Sequence, residues 1–224
     1  SLPNVPPKGK SNLSFLGLEG LVLLKDKSYL IFFIAAVLIC IPLSFYYSFA
    51  NVFLNDLGME GAAGKMIYGQ ISEAIFILAI PLLYYRLGVK NILVIGIAAW
   101  LLRFFFFSNG DLEASYWMII SGIILHGICY DFFFVTGYIY TENKAGEKIK
   151  NAAQGLFTVA TYGIGMTIGS WFSGIITDNY TTLQIIDGEL VKVKNWEDIW
   201  MVPAYIAAAV LLFLIIFFKE KNKQ

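Results

Sequence analysis

Six runs of apolar residues, each about as long as a bilayer is thick, constrain this chain more than any other feature. They cover residues 29–54, 65–85, 91–107, 115–140, 152–176 and 199–218. Crossing the hydrocarbon core takes about 20 residues of helix. Inside it no water satisfies backbone N–H and C=O groups, so a spanning segment is a helix or part of a closed barrel. These runs are long and do not alternate with period two, so they predict helices. The expected fold is an all-α membrane protein with six transmembrane helices in residues 29–218, a linker in 1–28 and a short tail in 219–224. Composition agrees. Only 14% of the 224 residues are charged and 58% are hydrophobic, whereas a soluble domain carries about 25% charged residues.

The first 28 residues do not span. SLPNVPPKGK is Pro-rich and basic, which reads as a linker. Residues 12–28, with Ser14 as a helix cap, read as a short amphipathic helix on the membrane surface or as an irregular loop. The opening Ser-Leu-Pro, without an initiator Met or a signal peptide, reads as the interior of a longer protein.

Basic residues alternate between connections. Lys8, Lys10, Lys25 and Lys27 precede the first run, Arg86 and Lys90 follow the second, and Lys144, Lys148 and Lys150 follow the fourth. Lys219, Lys221 and Lys223 close the chain. The other connections hold only Lys65, Lys192 and Lys194, and they carry the acids Asp56, Glu60, Asp111, Glu113, Asp178, Asp187, Glu189, Glu197 and Asp198. Lys and Arg mark the cytoplasmic side. Both ends are therefore expected in the cytoplasm, and residues 178–198 outside.

Several classes of function are disfavoured. Zero net charge points to no nucleic-acid partner. Cys40 and Cys129 both fall in apolar runs and form neither a disulfide framework nor a metal site. No nucleophile–base pair, metal cluster or phosphate loop is visible, so an enzyme is not expected, nor a cofactor.

The ionisable residues inside the runs are Glu73, Arg103, His126 and Asp131. A carboxylate near mid-membrane costs about 2.5–3.5 kcal/mol on insertion scales and by default marks a site; the plain alternative is a pair that only holds helices together. At 1.5 Å per residue, Glu73 lies roughly 12 Å and His126 roughly 16 Å from the outer side. Asp131 lies roughly 24 Å in, and Arg103 only about 8 Å. Arg103 is therefore expected to snorkel to the outer interface, unpaired with Asp131. Gln70 sits one turn before Glu73. Ser44, Tyr47 and Asn51 share a helical face at matching depths, and His126 shares a face with Tyr130. Aromatic rings and hydrogen-bonding groups at one level suit a nucleoside, with a base to stack and hydroxyls to bond. A sugar suits it nearly as well. In the fifth run Gly165 and Gly169 form a small-xxx-small packing pair.

Motifs along the whole chain add a resemblance. They are SLPNVP at the start, QISEAIFILAIPLL (70–83), the RLGVKN turn (86–91), AWLLRF (99–104), DFFFVTG (131–137) and AAQGLF (152–157). In this order they resemble the nucleoside:proton symporters of the major facilitator superfamily. The resemblance implies the carboxyl-terminal half of a twelve-helix fold in a bacterial inner membrane. The partners would be nucleoside, protons, the lipid bilayer and an amino-terminal six-helix half. It implies that Gln70 and Glu73 contact substrate and that Asp131 is the tenth-helix aspartate. This chain departs from the family pattern at Ser44, Tyr47, His126 and Tyr130. His126, which titrates near neutral pH, therefore joins Glu73 and Asp131 as a candidate for proton coupling. A carrier for another polar solute and a non-transporting scaffold or receptor are the alternatives.

Overall fold

A computed structural model describes residues 18–186 and 188–219. Four apolar stretches are long enough to cross a membrane. They are α1 (Lys27–Asp56), α2 (Ile67–Asn109), α3 (Tyr116–Asn179) and α4 (Trp196–Phe217). Two of them are broken. Gly88 in α2 has φ 73° and Gly146 in α3 has φ 65°. Residues with a Cβ avoid such positive φ values, so glycine is the residue that lets the chain reverse there. In α2 the two arms fold back on each other, because Ile80 from the first and Ile92 from the second both pack on Phe132 of α3. The expected loops at 86–90 and 141–151 are thus single-residue breaks, with helix running up to them on both sides. The polar segment 141–151 stays helical up to the Gly146 break on both sides because Glu142, Lys144, Ala145, Glu147, Lys148 and Lys150 are good helix formers.

The ends of the bundle sort as the charge pattern grouped them. Ser28 Oγ donates to the Lys219 carbonyl, Lys144 Nζ reaches Asp26 at 3.1 Å and Asn143 Nδ2 donates to Tyr84 Oη. At the opposite end Lys194 Nζ meets Asp56 Oδ2 at 2.9 Å, and Trp196 Nε1 donates to the same oxygen. That end carries an element the helix reading omitted. Strands β1 (Thr181–Ile186) and β2 (Glu189–Lys194) pair antiparallel, with Thr181 opposite Lys194 and Leu183 opposite Lys192. Gly188 closes the turn at φ 85°. An Asp-Gly between two short apolar segments is a hairpin signal, and this two-stranded hairpin stands beside an otherwise helical fold.

Residues 1–17 and 220–224, with most of the expected linker and tail, lie outside the described residues. The described part of the expected surface helix, Leu18–Lys25, is a 3-10 helix. It docks on protein: a Cβ at Gly20 would lie 3.0 Å from the Ala152 carbonyl oxygen.

Asp26 caps α1 by accepting the Tyr29 N–H at 2.9 Å. That bond, aided by Lys144, holds its carboxyl below the usual carboxylate range. Its stabilisation is present above the unfolded carboxylate value and is lost as pH falls through the lowered one. Asp26→Ala is expected to cost about 0.5–2 kcal/mol. The check is thermal unfolding in detergent at neutral and acid pH, where the gap from wild type narrows at acid pH.

The core is aromatic at both levels flanking the middle. Phe32 stacks on Phe157 and meets Tyr140 edge-on toward the terminal end. Phe53, Phe107, Trp196 and Trp200 cluster toward the hairpin end. Offset and edge-on rings contribute about 0.5–1.5 kcal/mol each beyond area burial. On α1 the polar level, at Tyr46, falls between these two clusters. Gly165 and Gly169 pack on α1 as their spacing predicts. A Cβ at either would lie under 3 Å from an atom of Cys40.

Candidate functional site

The site begins with a backbone crossing. A Cβ on Gly127 of α3 would lie 2.5 Å from the Glu73 amide nitrogen, and one on Gly69 of α2 would lie 3.1 Å from His126 Cβ. Only glycines allow so close an approach. The crossing brings His126 beside Glu73, with His126 Nε2 3.7 Å from Glu73 Oε2. That is ion-pair distance but beyond hydrogen-bonding range. The His126 side chain is 8% exposed, that of Glu73 34%. Gln70 is exposed one turn earlier on the same helix.

Arg103 completes the cluster, and the snorkelling expectation is corrected. Arg103 is 0% exposed. Its NH1 donates to His126 Nδ1 at 3.0 Å. Its guanidinium lies 3.3 Å from the Tyr46 ring centroid, with Trp100 and Phe107 at 5.5 and 5.6 Å. Depth counting failed because it treats each helix alone and does not show what faces Arg103 once the two α2 arms fold back about Gly88. Positions 73 and 103 lie equally far from the break and meet the same stretch of α3. Aromatic faces attract a cation by their quadrupole, by about 2 kcal/mol or more when desolvated, so the charge has no need to reach water.

Rings line this level. Tyr46 stacks on His126 at 5.2 Å and Tyr130 stacks on it at 6.0 Å, while Tyr47 meets His126 edge-on at 6.5 Å. Tyr130 Oη shares a short hydrogen bond with Tyr162 Oη. Tyr46, Arg103 and Tyr162 are members that sequence reading missed as site residues. The spacing of Tyr46 beside Tyr47 and of Tyr162 amid glycines carried no distinguishing signal.

Of the expected site residues, Glu73, His126, Tyr130 and Tyr47 are brought together. Ser44 is fully buried and serves the contact between α1 and α3 instead, donating to the Cys40 carbonyl at 2.8 Å beside Met166. Asn51 is exposed further along α1, accepting from Asn55 and reaching Met66 Sδ. Asp131 is 0% exposed, and neither carboxylate oxygen has a hydrogen-bond partner. It begins a π-helical segment, Asp131–Val135. A second such segment, Val159–Gly165, contains Tyr162, whose ring meets Phe134 of the first at 6.0 Å. π-Helical turns are frequent at functional sites. Among the described residues no group of His, Cys, Asp and Glu could hold a metal ion. The arrangement can bind a polar ring-bearing molecule and exchange a proton; it holds no nucleophile beside a base.

Comparison with known proteins agrees with this chemistry. A family model described as "Nucleoside H+ symporter" matches residues 1–223. The chain is 38% identical to the putative nucleoside transporter YegT of Escherichia coli, over 100% of this chain and 53% of that protein. It is 32% identical to the nucleoside permease NupG of the same organism, over 99% of this chain and 55% of that protein. Among solved structures, the crystal structure of nucleoside transporter NupG (D323A mutant) superposes with a TM-score of 0.84 at 29% identity. That match covers 98% of this chain and 56% of NupG. The chain thus spans about half the length of the curated relatives it matches.

Proposed function

The chain belongs to the nucleoside H+ symporter family, and on that premise we propose that it forms the carboxyl-terminal half of a proton-coupled nucleoside importer of the bacterial inner membrane. In this reading the two arms of α2, the two arms of α3, α1 and α4 are six transmembrane helices, filling residues 29–218. The Lys and Arg bias sets both chain ends in the cytoplasm and the β-hairpin outside. Residues 1–28 link to the preceding half and 219–224 form the tail. An amino-terminal six-helix half supplies the opposite wall, because carrier sites lie between repeats near mid-membrane.

One observation carries the proposal. A partly exposed carboxylate, Glu73, and a buried imidazole, His126, meet amid stacked rings in the middle of an apolar bundle. Tyr47 and Tyr130 offer faces to a base, while Gln70 and Glu73 offer polar edges to its amide-like groups and to ribose hydroxyls. On α1 it is Tyr47 that faces this level, while Ser44 packs against α3 and Asn51 lies further along the helix. Glu73 and Asp131 are the carboxylates through which proton movement is coupled, with His126 beside the first of them.

The test is uptake. Full-length protein in liposomes, with an imposed inward proton gradient, accumulates labelled uridine, and unlabelled nucleosides compete while sugars do not. Competition by sugars alone, or no flux at all, removes the reading. Gln70→Ala is expected to weaken nucleoside binding by about 1–3 kcal/mol, through the stranded polar partner, with folding little changed. Calorimetric titration of the purified variant measures this, and an unaltered affinity assigns Gln70 a structural part.

A further inference from the structure

Arg103 and His126 are not two independent polar groups. An arginine has donors and no acceptor. Since Arg103 NH1 bonds His126 Nδ1 at 3.0 Å, Nδ1 is the acceptor. A neutral imidazole then carries its one proton on Nε2. Nε2 is the atom that faces Glu73 Oε2.

We infer that Arg103 fixes the His126 tautomer and that His126 thereby aims an N–H at Glu73, making Arg103 and His126 positioning residues for that carboxylate. The inference rests on the reading of Glu73 as a substrate ligand.

Three observations support it. Arg103 is held in place: the Tyr46 ring lies 3.3 Å from the guanidinium carbon, with Trp100 and Phe107 beside it, and the group donates to His126 Nδ1. His126 is held too, stacked with both the Tyr46 and the Tyr130 rings. Its backbone is held against α2 at Gly69 and Gly127, where a Cβ finds no room. Glu73 is the mobile member, being one-third exposed. A small side-chain rotation closes the 3.7 Å gap to a hydrogen bond, as binding-site bonds commonly tighten only in the complex. One Glu73 oxygen is then occupied by His126, and the other is left for substrate. A second proton on His126 would displace Arg103 from Nδ1. His126 therefore acts as a donor of fixed direction, and proton exchange falls to the carboxylates.

Full-length protein labelled with 13C,15N-histidine, in lipid and without substrate, tests the relay by solid-state NMR. The His126 signals are those absent from the His126→Asn spectrum. The expected result is a single Nε2–H tautomer that becomes mixed in Arg103→Met. An Nδ1–H or doubly protonated ring in the wild type overturns the inference. A second arm reads nucleoside affinity. His126→Gln reaches the Nε2 position with an amide donor and should bind within about threefold of wild type. His126→Asn can still accept from Arg103 but cannot reach Glu73, and should lose about tenfold or more. Equal affinities of the two variants also overturn it. Failure of the wild type to bind any nucleoside defeats the functional reading alone, because the tautomer is read without substrate.

Discussion

Glu73→Gln is expected to abolish proton-driven accumulation of nucleoside while counterflow exchange survives. Coupling requires a group whose proton affinity depends on bound substrate and on which side the site faces, since linkage between two ligands is reciprocal. Glu73 is placed to serve as that group in the proposed carrier: it is the partly exposed member of the cluster, and its neighbour His126 is held by Arg103. Glutamine keeps the length and much of the hydrogen bonding of the side chain but cannot take up and release a proton. Exchange of internal for external nucleoside needs no net proton movement, so it continues. The accumulation ratio should fall to about one, the value for a carrier that only equilibrates its substrate. Affinity should fall as well, by about 1.5–3 kcal/mol, the range for a hydrogen bond to a charged group. Uphill uptake and counterflow in the same liposome preparation measure both effects. Normal uphill uptake by Glu73→Gln would remove the residue from the coupling path.

Much of this architecture was legible in the residues. The apolar runs located α1 and α4 to within a few residues and both arms of α2 and α3. The Lys and Arg pattern grouped the connections as the structure gathers them. Gly165 and Gly169 read as a packing pair and pack on Cys40. Depth placed Glu73 and His126 near one level, because both are counted from the same side; their contact is visible only in the structure. The same counting misplaced Arg103. Depth along one helix says nothing of which rings face it on another, and the cation–π contact with Tyr46 depends on how α1 and α2 turn about their axes. Ser44 shows the same limit. A hydroxyl one turn from Tyr47 was read toward the site, yet it fills the space beside Met166 where α3 comes close. The hairpin is legible from Asp187-Gly188, while the charge pattern marks residues 178–198 only as an outer connection between two apolar runs.

Asp131 presents a different physical situation from Glu73, and its replacement should separate proton movement from substrate binding. It is fully buried, neither oxygen has a partner, and it opens a π-helical segment. A carboxylate held this way costs several kcal/mol if it is charged and unpaired. Such a group is stable only with its proton or with a partner that another state of the carrier supplies, and both options tie it to the conformational cycle. It directly follows Tyr130, whose ring stacks on His126. Asp131→Asn removes the ionisable group without changing the shape. The fold should be retained, with a melting temperature at or above that of wild type, since no buried charge can then form. Proton-driven accumulation should fall to about one, as for an uncoupled carrier. Nucleoside affinity, unlike that of Glu73→Gln, should stay within about threefold of wild type. Calorimetric titration beside uphill uptake gives the two readings on one preparation. An affinity loss equal to that of Glu73→Gln would make Asp131 a substrate ligand. Undiminished accumulation would leave Glu73 as the carboxylate that carries the proton, with the π-helical turn at Asp131 serving the packing of α3 alone.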